Sequence, residues 1–143
     1  MLLKLYKKQK AQIKKAADVY FLMNEVLLRM QKNDRDKEHL WVIGLKRNNE
    51  VTYIQWIDWV SMGSSHCTIA NPPQIFKTAI IKNASAIILC HNHPSGSKKP
   101  SDQDIRLTKK ISEGASLLEI SFFDHIIFTT DAGYYSFAEE GQL

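Results

Sequence analysis

A chain of 143 residues, 44% hydrophobic and 24% charged, has the length and composition of one soluble globular domain with a proper core. Its longest apolar runs fall far short of a membrane span, and Met1 to Tyr6 is too short and too soon followed by lysines to read as a signal peptide. The net charge of +4 is a local feature: residues 1–15 carry six lysines and no acid, leaving 13 Lys/Arg against 15 Asp/Glu in the remainder.

The expected organisation is therefore a basic arm, residues 1–15, followed by a single domain over 16–143. The preferred reading of the arm is a solvated, partly frayed helix start. Clustered lysines would also allow weak contact with DNA phosphates, without sequence preference. Cys67 and Cys90 have no CxxC spacing and are read as reduced core thiols of a cytoplasmic protein.

Ala16 to Gln31 reads as an amphipathic helix, with Val19, Met23, Val26, Leu27 and Met30 on one face and Tyr20 and Phe21 beside them. Asn33 to Asp36 is a polar break. Glu38 to Lys46 reads as a strand apolar on both faces, hence covered on both. Arg47-Asn48-Asn49-Glu50 is a hairpin turn by composition, and Val51 to Val60 the return strand. Ser61 to Ala70 continues as an extended segment broken by Gly63-Ser64-Ser65. Pro72 and Pro73 open a helix whose apolar face is Ile75, Phe76, Ala79 and Ile80.

Ala84 to Cys90 is a short apolar run of strand length. His91 and His93 follow it two residues apart, so on an extended chain both imidazoles project to one side. Pro94-Ser95-Gly96 stops the strand, and a basic loop leads to Ser101-Asp102-Gln103-Asp104 at a helix start. In that helix Asp104, Thr108, Ile111, Ala115 and Leu118 share one face, so Asp104 opens the inward stripe. An inward carboxylate needs a partner. A capping box with Ser101 supplies one, and a metal ion another. Two imidazoles and a returning carboxylate make a three-ligand set that leaves a fourth tetrahedral position of Zn²⁺ open. A strand region from Glu119 to Thr130, a turn at Asp131-Ala132-Gly133 and a last strand, Tyr134 to Phe137, complete an α/β chain with a mixed sheet flanked by helices.

The string H-x-H, seven residues, S-x-x-D resembles the JAMM signature of the JAB/MPN metalloproteases. HNHPSG followed by PSxxD, with Asp124-His125 beyond, resembles the bacterial RadC family (DNA repair protein RadC, UPF0758). The resemblance covers roughly Lys37 to Leu143, including Asp36-Lys37-Glu38-His39 and Ser136-Phe137-Ala138-Glu139. Two departures stand out. Asn92 replaces the Ser or Thr that the broader pattern has between its histidines, as in RadC-like proteins. Full-length RadC proteins also carry an N-terminal helix-hairpin-helix-like domain, for which 143 residues leave no room.

The resemblance implies the cytidine-deaminase-like JAB/MPN fold and Zn²⁺ held by His91, His93 and Asp104. It also implies a peptide or isopeptide substrate, with Glu38 as the distant general acid/base and Ser101 as an oxyanion donor. It marks Asp124 and His125, on opposite faces of their strand, as second-line or pocket residues; the alternative for His125 is a buried structural histidine. His39 and His66 match no motif position and receive no role. Among rival functions, a DNA-repair accessory that binds nucleic acid ranks second. The tripeptide His91-Asn92-His93 does not define an HNH nuclease, and a zinc deaminase needs H-x-E and P-C-x-x-C, which this chain lacks. The resemblance also disfavours an inactive scaffold domain, because such MPN domains typically lose the ligands that this chain retains.

Overall fold

The computed structural model describes residues 1–5, 12–57, 60–61, 68–69 and 72–143. Helix α1 runs Ala16–Leu28, shorter than its periodicity predicts, and buries Val19, Leu22, Met23, Val26 and Leu27. At its start the Asp18 carboxylate accepts from the N–H groups of Lys14 and Lys15, at 2.8 and 3.0 Å, satisfying donors the helix cannot. The expected polar break contains a single helical turn, α2 (Lys32–Arg35). There the Arg35 side chain donates to the Met30 carbonyl at 2.8 Å, tying the turn back to the end of α1.

Strand β1 (Leu40–Leu45) and strand β2 (Val51–Ile57) form the hairpin, turning through Asn49 at φ 63°. All six β1 residues are buried, as expected for a strand covered on both faces. Gly44 lies opposite Tyr53, and a Cβ there would fall 2.0 Å from the Tyr53 ring. Gly44→Ala is therefore expected to destabilise the fold by about 1–3 kcal/mol through overpacking, read as a lowered denaturation midpoint. An unchanged midpoint would show that the ring moves aside freely.

Two short strands, β3 (Val60–Ser61) and β4 (Thr68–Ile69), pair antiparallel. His66, Cys67 and the Gly63-Ser64-Ser65 break lie outside the described residues. Helix α3 (Pro72–Ile81) buries Ile75, Phe76 and Ala79, whereas Ile80, expected on that face, is 55% exposed. Strand β5 (Ala86–Asn92) is buried throughout and extends past the apolar run to take in His91 and Asn92. Helix α4 (Asp102–Leu117) buries Asp104, Thr108, Ile111 and Ala115. Leu118, expected to end that stripe, is instead the exposed C-cap, because Glu119 turns the chain out of the helix at φ 56°. Strands β6 (Ser121–Thr129) and β7 (Gly133–Ser136) complete the chain.

The five-stranded sheet has the order β2-β1-β5-β6-β7. Only β5 and β6 are parallel, joined by α4; the other neighbours are antiparallel. One face packs Trp41, Ile43, Ile88, Cys90, Ile126 and Phe128 under α1. The other packs Leu40, Val42, Ile87 and Leu89 against Ile75, Phe76, Ala79, Ile111 and Ala115 of α3 and α4. This is a mixed α/β sheet flanked by helices, consistent with the JAB/MPN fold.

Residues 1–5 of the basic arm lie along β2 and open no helix, whereas Lys15 is the N-cap of α1. Leu3 N–H donates to the Ile54 carbonyl and Trp56 N–H to the Met1 carbonyl, both at 2.8 Å, and Gln12 bridges to Glu50. The described residues at the two ends of the arm thus pair with part of the edge of β2, where unpaired backbone groups would template association. Leu3 and Leu5 turn to the core and Lys4 to solvent, a strand alternation that the run of lysines obscured. Among the described residues no helix is long and apolar enough to cross a membrane.

Candidate metal centre

The β5–α4–β6 crossover places the carboxyl end of β5 against the amino end of α4, the crevice where α/β sheets bind ligands. His91, fully buried, is the penultimate residue of β5, and His93 follows just beyond the strand. Their Nε2 atoms are 2.9 Å apart. His93 is oriented from behind by the Ser97 carbonyl, 2.8 Å from its Nδ1.

Asp104 is the third residue of α4 and does two jobs. Its Oδ2 accepts from Ser101 N–H at 2.8 Å while Ser101 Oγ accepts from Asp104 N–H at 3.1 Å, a complete capping box. The same carboxylate reaches His91 Nε2 at 3.2 Å through Oδ1 and His93 Nε2 at 3.4 Å through Oδ2. Capping and proximity to the histidines, alternatives at the level of sequence, coexist.

Glu38 comes from the loop before β1, not from within the strand as the sequence suggests, and its side chain is 45% exposed. Its Oε1 stands 3.7 Å from His91 Nε2 and 3.9 Å from His93 Nε2. Ser101 is the N-cap of α4 and is exposed.

These four side chains offer ligand atoms within 4.8 Å of one another. Burial would raise the Asp104 pKa, but hydrogen bonds from both histidines, the His91 charge and Ser101 N–H hold it far below the carboxylate range. Burial would lower His93, but its bonds to Asp104 and Ser97 and the charges of Asp104 and Glu38 raise it. Such a set of two imidazoles and two carboxylates could hold a cation at its centre. Ligands about 2.1 Å from a tetrahedral Zn²⁺ lie about 3.4 Å from one another. The His91, His93 and Asp104 contacts of 2.9 to 3.4 Å and those of Glu38 at 3.7 and 3.9 Å all lie near that edge length, Glu38 being the most distant of the four. The donor set fits a divalent metal ion.

A buried relay stands behind His91. Its Nδ1 is 2.8 Å from His125 Nε2, and His125 Nδ1 is 2.6 Å from Thr108 Oγ1. Thr108 in turn donates to the Asp104 carbonyl at 2.7 Å. Assigning tautomers from this network leaves one consistent order. With His91 Nε2 offering its lone pair to a metal, Nδ1–H donates to His125, His125 Nδ1–H donates to Thr108, and Thr108 donates to the helix backbone. Burial, the largest cause, pushes His125 well below the ordinary histidine range, the direction that favours the neutral ring of this order. Phe137 stacks on its ring at 5.0 Å.

Thr108→Val, nearly isosteric, leaves His125 Nδ1–H without an acceptor. It is expected to weaken zinc binding about 10–100-fold, with Thr108→Ser near parental in a chelator competition. Equal affinities for the two variants would remove the relay from the site. The sequence placed Thr108 on the inward stripe but gave no sign of what it meets.

Asp124 points to the opposite face from His125, as expected, and is buried. It accepts from His125 N–H (2.8 Å), Ala138 N–H (3.0 Å) and Ser136 Oγ (2.5 Å), pinning the chain after β7 to β6. Burial raises its pKa despite these donors. Cys90 is a free, buried thiol, pushed well above its ordinary pKa by burial and by Asp124. On the far side of His93, a groove of about 370 Å³ runs past Leu27, Leu28, Lys32, Arg35 and Pro94.

A mixed α/β sheet with two histidines at the carboxyl end of a central strand and an aspartate at the following helix start defines a JAB-type domain. The chain belongs to the RadC-like JAB domain family, whose profile matches residues 13–142. It is 44% identical over 108 residues to a UPF0758 protein of Clostridium acetobutylicum, covering 76% of this chain and 45% of that protein. It is 38% identical over 134 residues to a UPF0758 protein of Methanococcoides burtonii, covering 94% and 55%. A UPF0758 protein of Porphyromonas gingivalis is 40% identical over 110 residues, covering 77% and 47%. The chain thus spans about half the length of the curated relatives it matches.

Proposed function

We propose that this domain is a zinc-dependent hydrolase of peptide or isopeptide bonds. The observation that carries the reading is the offset of Glu38: close enough to act over His91 and His93, yet farther from them than Asp104 is. That offset supports reading Glu38 as the acid/base beside three ligands. Zinc held by His91, His93 and Asp104 would supply Lewis acidity, polarising the scissile carbonyl and easing the deprotonation of water. Glu38, half-exposed and facing the cluster, takes the proton from the attacking water. As the water oxygen bonds the carbonyl carbon and the C–N bond breaks, Glu38 returns that proton to the departing amine. Ser101 uses its oxygen lone pair to cap α4 and its hydroxyl hydrogen to donate to the developing oxyanion, so the two roles do not compete.

The test is elemental analysis of the purified protein, followed by an arrayed peptide and isopeptide library screened with and without chelator. About one zinc per chain and chelator-sensitive cleavage are expected. A metal-free protein that binds no added zinc would overturn the reading.

A further inference from the structure

We propose that Asn92, the residue between the two histidines, is the positioning residue for Glu38. The inference rests on the reading of Glu38 as the acid/base and says how the fold places it. Glu38 itself belongs to no strand or helix, so something must hold its backbone over the cluster.

Asn92 ends β5 with its side chain on the face opposite His91, and it is 2% exposed. Its Nδ2 donates to the Lys37 carbonyl at 2.8 Å, and its Oδ1 accepts from His39 N–H at 2.7 Å. One amide thus grips the peptide groups on either side of Glu38. Asn92 N–H also donates to the His39 carbonyl at 3.3 Å, so the side chain continues the β1–β5 ladder one step beyond the strands. His39 closes the clamp. Its ring packs between Trp41 and Trp56, and its Nε2 lies 2.6 Å from the Asp34 carbonyl.

The chemistry selects an amide. Bracketing a residue requires a donor and an acceptor about 2.3 Å apart on one rigid plane, aimed at a C=O and an N–H two residues on. A serine or threonine hydroxyl has one oxygen and cannot span the two. An aspartate would keep the bond from His39 N–H but set a carboxylate oxygen against the Lys37 carbonyl. Because Asn92 sits between His91 and His93 in one short strand end, the segment that presents the ligands also fixes the height of the acid/base above them.

The test compares the zinc-loaded full chain with its Asn92→Ala and Asn92→Asp variants. Zinc content should be unchanged, because His91, His93 and Asp104 are untouched. The His39 amide should exchange with solvent about tenfold faster in Asn92→Ala, the size of one lost hydrogen bond. Crystal structures should show the Glu38 carboxylate displaced by about 1 Å or more, a misplacement that costs on the order of 10² in rate. With a cleaved library peptide, kcat should fall accordingly at similar KM, and Asn92→Ala added to Glu38→Gln should cause no further loss.

An unmoved Glu38, an unchanged His39 amide, or loss of zinc would each overturn the positioning role. So would losses that multiply in the double variant, which would place Asn92's effect somewhere other than Glu38. Parental turnover in Glu38→Gln alone is the separate signature that the acid/base reading has failed, and it removes the catalytic meaning of the bracket whatever the exchange rates show.

Discussion

Replacing His91 or His93 by alanine should reduce bound zinc from about one per chain to well below stoichiometry. Each imidazole is one of three groups within 3.4 Å of its neighbours, and two residual ligands cannot form a closed tetrahedral face. The loss should exceed the 10–100-fold that accompanies removal of an outer partner such as Thr108. His91→Ala should be the more damaging of the two for the fold. His91 is completely buried and its Nδ1 meets His125, so truncation leaves a void and an unpaired imidazole in the core. His93 lies past the strand end with its Nδ1 at a loop carbonyl, and its loss should leave the sheet intact.

Thermal unfolding with and without zinc reads both effects. The parent should gain about 2.7 kcal/mol at a hundredfold excess of free zinc over its dissociation constant, and either variant much less. Undiminished zinc in both single variants would remove these histidines from the ligand set.

Glu38→Gln should separate chemistry from binding. Glutamine keeps the shape of glutamate and can hydrogen-bond a water, but it cannot accept that water's proton. The variant should fold and hold zinc as the parent does, because Glu38 lies 3.7 Å or more from either histidine and is not needed to close the ligand set. Turnover should fall by about 10²–10⁴-fold, the ordinary worth of a placed general base.

Asp104→Asn is the control with the opposite pattern. Asp104 is buried among both histidines and the helix cap, so neutralising it should release the metal while leaving Ser101 able to cap α4. Cleavage of a library peptide by Glu38→Gln at the parental rate would make Glu38 a surface residue.

Much of this arrangement was legible in the chain. The double-sided apolar run of β1, the spacing of His91 and His93, and the inward stripe headed by Asp104 are local patterns, because strand and helix geometry convert spacing directly into direction. Strand ends were less legible. The apolar run stops at Cys90, but β5 continues through Asn92 because β1 and β6 supply hydrogen-bond partners there. Ile80 and Leu118 look like core residues by spacing and are exposed, since helix phase does not say how wide a stripe the neighbouring element covers. The N-terminal lysines hid an edge segment, because charge density is visible in a sequence and an unpaired strand edge is not.

The sequence by itself picked out His91, His93 and Asp104 as candidate ligands, the direction in which each projects from its own element, and, with the family resemblance, Glu38 as the candidate acid/base. Only the tertiary structure decided what those side chains meet. His39, without a role by motif, anchors the Glu38 loop, and Asn92, a departure from the wider pattern, grips it. Thr108 and His125, 17 residues apart, form one hydrogen-bonded chain behind His91. Local periodicity sets the direction of a side chain from its own backbone. The atom 2.8 Å beyond it belongs to another element, and its place is fixed by sheet order, register and helix docking together.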